Sequence, residues 1–214
     1  MGADGPKQFL ELDGIPLLAH SVTAFERSNH VTDIVVVSHP EHIETSELIV
    51  GGAGVSKVKT VVAGGPSRSD SSRAAIDEVP DGDGLILIHD AARPLVATET
   101  IDAVIAALGS HMAAAPAVAA SDTIVMATGD EINATLDRRS LRHLQTPQGF
   151  EISTIREAYR LAGEDPAFEA TDDCGVVHRY LPDVTIKLVP GSTRNLKITR
   201  VEDLAVAAAL LGGV

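Results

Sequence analysis

The chain has 214 residues, with 17 Lys and Arg against 30 Asp and Glu, and a formal net charge of −13. Its 44% apolar and 22% charged residues suit a folded globular protein and exclude a disordered one. So acidic a chain is a poor binder of nucleic acid or anionic membrane, both of which require positive surface.

In chain order, 15–28 (IPLLAHSVTAFERS) spaces Leu17, Leu18, Val22 and Phe25 as one helical face, and 34–38 (IVVVS) is a short β-branched strand. A strand over 58–65 (VKTVVAGG) leads through a serine-rich segment into a helix near 71–79, and 85–90 (LILIHD) is the next strand. A helix over 99–110 stops at Gly109, a strand covers 113–120 (AAAPAVAA), and helices cover 152–163 and 201–213 around a strand at 185–191. Strands alternating with helices predict one α/β domain over 1–214, with a mostly parallel, Rossmann-like sheet and helices on both faces.

Residues 121–146 break this rhythm with two short strands around a Gly-Asp turn. They form either an arm that projects toward a partner subunit or an edge hairpin on the domain's own sheet. Cys174 is the only cysteine, so the chain can form no intramolecular disulfide and no cysteine zinc cluster. The eight histidines show no metal-ligand spacing, and no metal-binding residue is predicted. No signal peptide and no membrane-length apolar run is evident, so a cytoplasmic enzyme is expected.

Open parallel sheets bind ligands at the carboxyl ends of their strands. Asp90 and Arg93 stand just past one such end, either facing the crevice or forming a structural ion pair or helix cap. Gly64 and Gly65 stand past another, followed by hydroxyls and Arg68, and backbone N–H groups there can approach a ligand closely. Ser71 is read as either a ligand contact or a helix cap. Two basic stretches, 138–143 (RRSLRH) and 187–200 (with Lys187, Arg194, Lys197 and Arg200), stand out in this acidic chain and suit small anionic ligands.

The stretches GPKQFLELDGIPLLAHSV, GGPSRSDSS, HDAARPLV, SDTI, LDRRSLRHLQTPQGF, TDDCGVV and NLKITRVEDL occur in this order. Together they resemble the 2-C-methyl-D-erythritol 4-phosphate cytidylyltransferases, over nearly the whole chain. Pentitol-phosphate cytidylyltransferases are the neighbouring alternative; Ala91 and Ala92 favour the erythritol enzymes, whereas Cys174 leans the other way.

The resemblance implies CMP transfer from CTP to a sugar-alcohol phosphate, with Mg²⁺ carried mainly on the CTP phosphates. It assigns Lys7 and Lys197 to the CTP phosphates and the transition state, and Gly65 and Ser71 to the nucleotide. Asp90, Arg93, Thr123, Arg138, Thr146 and Thr171 would hold the acceptor, with Arg138 on its phosphate. The hairpin would bridge a homodimer, so that Arg138 serves the neighbouring subunit.

The family pattern also has an apolar strand, a glycine-rich triphosphate loop and an arginine ahead of the PKQF motif. In this sequence that motif begins at Pro6. The expectation is therefore an opening in the sheet with unpaired ladder groups, arising from a displaced start or from a chain with impaired nucleotide binding. A non-catalytic relative that binds a partner is the alternative of another class.

Overall fold

The computed structural model describes residues 6–80 and 82–212. Gly5, which opens the first family-like motif, and Gly213, at the end of the last expected helix, lie outside them. The elements are β1 (Glu11–Leu12), β2 (Ile15–Pro16), α1 (Leu17–Arg27), β3 (Ile34–Ser38), α2 (Ile43–Gly52), β4 (Val58–Ala63), α3 (Arg68–Asp77), β5 (Leu85–Ile88) and α4 (Thr98–Ala107). Then follow β6 (Ala113–Ala119), β7 (Val125–Thr128), β8 (Glu131–Thr135), β9 (Arg142–Leu144), β10 (Gln148–Glu151), α5 (Ile152–Glu164), α6 (Asp173–Tyr180), β11 (Ile186–Pro190) and α7 (Glu202–Leu211).

Strands joined through helices run parallel. β3 and β4 pair in parallel, as do β6 and β11, and β5 shares the direction of β6 because both lie antiparallel to β10. The order β11-β6-β10-β5, with β9 antiparallel beside the far end of β6, is therefore a mostly parallel arrangement with two reversed insertions.

Neither β9 nor β10 is visible from hydrophobic alternation. β10 reads Gln-Gly-Phe-Glu, and its glycine is a packing requirement: a Cβ on Gly149 would lie 2.6 Å from Val104 and 2.9 Å from Leu108 on α4. Helices α2 and α6 are also absent from the sequence pattern. Helix α6 is only eight residues long and contains Gly175, so its local Asp172 cap is supplemented by Gln148 from β10.

Period-two geometry puts layers on both faces of β6. Ala114 packs with Val104 and Leu108 of α4, while Ala113 and Ala115 pack with Phe150, Ile155 of α5 and Val177 of α6. Alanines let helices approach closely on either side. Along α5 the buried positions Ile152, Ile155, Tyr159 and Ala162 recur at helical spacing, so burial of that stripe holds the helix to the sheet. The hairpin β7–β8 pairs strand to strand, and every residue of both strands is exposed.

β3 and β5 are not paired with each other. Residues Val35–Val37 and Leu85–Ile88 line the two sides of a cleft of about 840 Å³, with Leu18 and Val22 of α1 beside them and Arg68 and Asp90 also on its wall. Bond parity shows which groups face it. Ile34 N–H and Ser38 C=O are bonded toward β4, which turns the backbone of Val35 and Val37 away from it. Gly84 C=O accepts from Ile152 N–H, so Ile86 and Ile88 bond to β10, and Leu85 and Leu87 present their backbone to the open side.

Amides without a ladder partner exchange more readily than laddered ones. Hydrogen exchange followed residue by residue is expected to show Val35, Val37 and Leu87 less protected than Val36, Ile86 and Ile88. Equal protection in the two sets would mean that another group pairs this edge.

Candidate active site

Three strand ends meet at one place. After β4, Ser67 caps α3: its Oγ accepts from Asp70 N–H at 3.1 Å, and Asp70 Oδ2 accepts from Ser67 N–H at 3.2 Å. The preceding turn requires glycine, since a Cβ on Gly65 would sit 2.3 Å from Asp70 Cβ and one on Gly64 would sit 2.6 Å from Ser71 Oγ. Ser67, rather than Ser71, is therefore the cap; Ser71 stands one turn in and donates from its Oγ to Ser67 C=O at 3.1 Å. The cap fixes Arg68 as the first helical residue, beside the end of β5.

Arg68 joins two carboxylates. Its Nε donates to Asp90 Oδ1 at 3.2 Å, and its Nη1 lies 2.7 Å from Oδ2 of Asp173. Asp173 is fully buried; its Oδ1 accepts from Tyr159 OH at 2.7 Å, and its N–H donates to Gln148 Oε1 at 3.0 Å. Gln148 Oε1 also accepts from Cys174 N–H at 2.9 Å, and Asp172 accepts from Gly175 N–H at 2.7 Å. Asp172 is the local cap of α6, and Gln148 adds the two bonds from elsewhere in the chain that fix its start. The Cys174 thiol is buried, and burial together with Asp172 and Asp173 pushes its pKa up, so it is a packing residue and a poor nucleophile.

Asp90 collects two more cations. Lys197 Nζ lies 2.9 Å from its Oδ2, and Arg93 Nε lies 3.9 Å from the same oxygen. Burial alone would raise the Asp90 carboxyl, but Arg68 and Lys197 outweigh it and hold the group below its ordinary value. Arg68 is raised, because Asp173 and Asp90 outweigh its own burial. Three cations, Arg68, Arg93 and Lys197, thus stand against two carboxylates, Asp90 and Asp173, where strand-end ligands bind.

Hydrogen bonds align these loops. Asp90 N–H donates to Thr146 Oγ1 at 3.2 Å. Because the Arg93 carbonyl can only accept, His89 Nε2 carries the proton toward it at 3.2 Å, and Nδ1 accepts from Thr146 Oγ1 at 2.9 Å. Arg93 Nη1 donates to Asn195 C=O at 2.8 Å, Asn195 Nδ2 to Thr146 C=O at 2.9 Å, and Ile198 N–H to Ala92 C=O at 2.8 Å. Gln145 Nε2 donates to Ser192 C=O at 2.8 Å, so the loop carrying Lys197 is tied to the loop carrying Asp90.

The residues singled out from the sequence divide into two groups. Lys197, Asp90, Arg93 and Thr146 share the network above, with Thr146 buried at 3% exposure. Lys7 Nζ donates to Thr199 C=O at 2.6 Å, two residues past Lys197, and Gly65 and Ser71 flank Arg68 in sequence. Asp90 caps no helix, since α4 begins after Ala97, and its ion pairing is a network rather than one bridge. Thr123, Arg138 and Thr171 are exposed. Arg138 Nη1 donates to Ser121 C=O at 3.0 Å at the base of the hairpin, away from the hydrogen bonds and ion pairs of Asp90.

Arg68, His89, Gln145, Gln148, Asp173 and Asn195 were given no role from sequence. All six lie in the family-like stretches, and Arg68 also stands just past a strand and two glycines. A 3-10 turn at Pro40–His42 brings one ligand atom each of His39, Glu41 and His42 within 4.8 Å of one another.

An α/β sheet whose strand ends converge on a cationic crevice defines a protein of the class that binds phosphorylated ligands at its strand termini. Comparison narrows this. The chain belongs to the 2-C-methyl-D-erythritol 4-phosphate cytidylyltransferase family, whose sequence profile matches residues 1–213. It is similar to the enzyme of that name from Thermobifida fusca, 46% identical over 218 residues covering 99% of this chain and 88% of the relative. The Bifidobacterium longum enzyme of strain DJO10A is 43% identical over 95% of this chain and 73% of its own length. Among solved structures, the cytidylyltransferase from Thermus thermophilus superposes with a TM-score of 0.77 at 31% identity, covering 97% of this chain and 94% of the other. The 4-diphosphocytidyl-2C-methyl-D-erythritol synthase from Anaerococcus prevotii gives 0.86 at 26% identity, covering 94% and 88%.

His89 supplies a pH test. Burial lowers it from 6.5 to about 4, with the Arg93 carbonyl and Asp90 opposing the shift. Between those values the unfolded chain binds the extra proton, so this group makes stability rise with pH and fall on acidification. Urea unfolding at pH 5 and pH 7 is expected to show lower stability at pH 5, and His89→Gln is expected to shrink that difference. An undiminished difference would assign the acid sensitivity to other groups.

Proposed function

We propose that the chain transfers CMP from CTP to 2-C-methyl-D-erythritol 4-phosphate and releases pyrophosphate. Family membership supports the reaction, and the observation that carries it is Asp90 held among Arg68, Arg93 and Lys197 at the strand ends. In the reaction a phosphate oxygen of the acceptor attacks the α-phosphorus of CTP. A new P–O bond forms, the bond from the α-phosphorus to the bridging oxygen breaks, and its electron pair leaves with pyrophosphate.

The barrier lies in bringing two polyanions together and in accommodating charge on the leaving group, so positioned cations do most of the work. Lys7 and Lys197 contact the CTP phosphates and the transition state. Gly65 and Ser71 meet the nucleotide at the head of α3. Asp90 accepts from the hydroxyls of the polyol, and Arg93 balances phosphate charge nearby. Thr146 serves the acceptor side through the loop it bonds, while Thr123 and Thr171 contribute hydroxyls from the rim. Arg138 binds the acceptor phosphate of the neighbouring subunit, carried there by the hairpin.

Mg²⁺ fits this site as a companion of CTP. Asp90 is already engaged with three cations and Asp173 with Arg68, so these two carboxylates leave the ion to be held by triphosphate oxygens. Carried with CTP, Mg²⁺ would supply positive charge for the leaving pyrophosphate, beside that of Lys7 and Lys197. The reading extends to a cytoplasmic homodimer. Val125, Met126 and Ile132 expose apolar surface on the hairpin, as a subunit contact requires, and no described helix is long and apolar enough to cross a membrane.

Pyrophosphate release from CTP is expected with methylerythritol phosphate and not with ribitol 5-phosphate; turnover with neither would overturn the reading. Lys197→Ala is expected to lower kcat/KM by about 100-fold or more, the scale of losing one transition-state contact. Asp90→Asn is expected to raise the acceptor KM by at least about tenfold, with a smaller effect on the CTP KM. An unchanged acceptor KM would remove Asp90 from acceptor recognition. A Met126→Glu, Ile132→Glu double variant is expected to run as a monomer in light scattering and to lose turnover, whereas a wild-type monomer would refute the dimer.

A further inference from the structure

We propose that His39, Glu41 and His42 form a surface site for a divalent transition-metal ion of the zinc class, separate from the Asp90 network. One ligand atom from each residue lies within 4.8 Å of the other two. Two imidazoles and one carboxylate are the donor set that zinc, nickel and copper select, whereas magnesium and calcium prefer all-oxygen sets.

The backbone holds the three in place before any ion arrives. Pro40 opens the 3-10 turn at the position that suits its fixed φ, and His42 N–H donates to His39 C=O at 2.8 Å. Ser38 Oγ donates to His42 C=O at 3.4 Å and itself accepts from the buried Ser46 Oγ at 2.8 Å, which ties the turn to the end of β3 and to α2. The Phe9 ring stands edge-on to His42 at 5.5 Å and restricts the imidazole from the other side.

The side chains retain room to close. Zinc binds nitrogen and carboxylate oxygen at about 2.1 Å, so tetrahedral ligand atoms lie about 3.4 Å apart. His39 Nδ1 is already 3.8 Å from Glu41 Oε2, and the two side chains are 58% and 81% exposed, so modest rotations complete the set. His39 Nδ1 exchanges its long 3.3 Å bond from Glu41 N–H for the ion. Three protein ligands leave a fourth position to water. Phe9 belongs to the same turn as Lys7, so an ion on His42 sits beside the segment that carries Lys7.

The test is calorimetric titration of ZnCl₂ into the tag-free full chain in chelator-free buffer, with histidine ring signals followed by NMR. One-to-one binding in the micromolar range is expected, with the His39 and His42 rings shifting. Second-sphere changes at metal sites cost about 10- to 100-fold in affinity, so removing a ligand as in His39→Ala or His42→Ala should cost at least about tenfold. His178→Ala, an exposed histidine outside the site, serves as the control and is expected to change nothing. Far-ultraviolet circular dichroism of the metal-free variants should match the wild type, since the ligands' own packing is slight. No binding below millimolar zinc, or unchanged affinity in the His39→Ala, His42→Ala double variant, would overturn the proposal. Neither outcome depends on whether the chain turns over CTP.

Discussion

The carboxylate of Asp90, 15% exposed, organises the crevice. A charge so placed must be matched by opposite charge nearby, or burial would neutralise it. The match comes from Arg93, three residues on in the same loop, and from two distant segments: Arg68 at the head of α3 and Lys197 in the loop after β11. Deleting that carboxylate would leave Arg93 and Lys197 without their acidic partner, while Arg68 would keep only Asp173. The network is thus a constraint on where three strand ends can lie as well as a feature of the site.

Neutral groups complete what the charges begin. Thr146 takes the Asp90 amide and donates to His89, whose proton is fixed on the far nitrogen by the Arg93 carbonyl. A charged imidazole here would stand beside Arg93, and burial keeps it neutral. Asn195 and Gln145 then bind the Lys197 loop to the same frame through backbone carbonyls. In the proposed reaction the cations that now surround one carboxylate already stand close together when a polyphosphate arrives, which lowers the cost of reorganising them.

Much of the fold was legible because it rests on local pattern. The β-branched run of β3, the Leu17, Leu18, Val22 and Phe25 face of α1 and the stripe on α5 each carry their period in a few residues. Elements whose stability comes from elsewhere were not legible. Helix α6 depends on Gln148, 25 residues away, to take the Asp173 amide, and β10 is admitted only because Gly149 lets α4 close over it. The site divides in the same way. Asp90, Arg93, Lys7 and Lys197 stood in motifs with a role attached, whereas Arg68, though in a motif too, acquires its significance from Asp173, a residue that only the arrangement of α3 against α5 and α6 brings near.

By itself the sequence determined the class of the fold, the strand ends that could bear a ligand, and the resemblance that names the reaction. Each is a matter of period, of residue type or of motif order, and these survive in one dimension. The tertiary structure alone decided which charges neutralise which, that His89 is neutral and Thr146 buried, that β9 and β10 run against their neighbours, and that β3 and β5 stand unpaired across a cleft. Electrostatic pairing and burial depend on distances between residues far apart in the chain, and those distances exist only once the sheet and helices have packed.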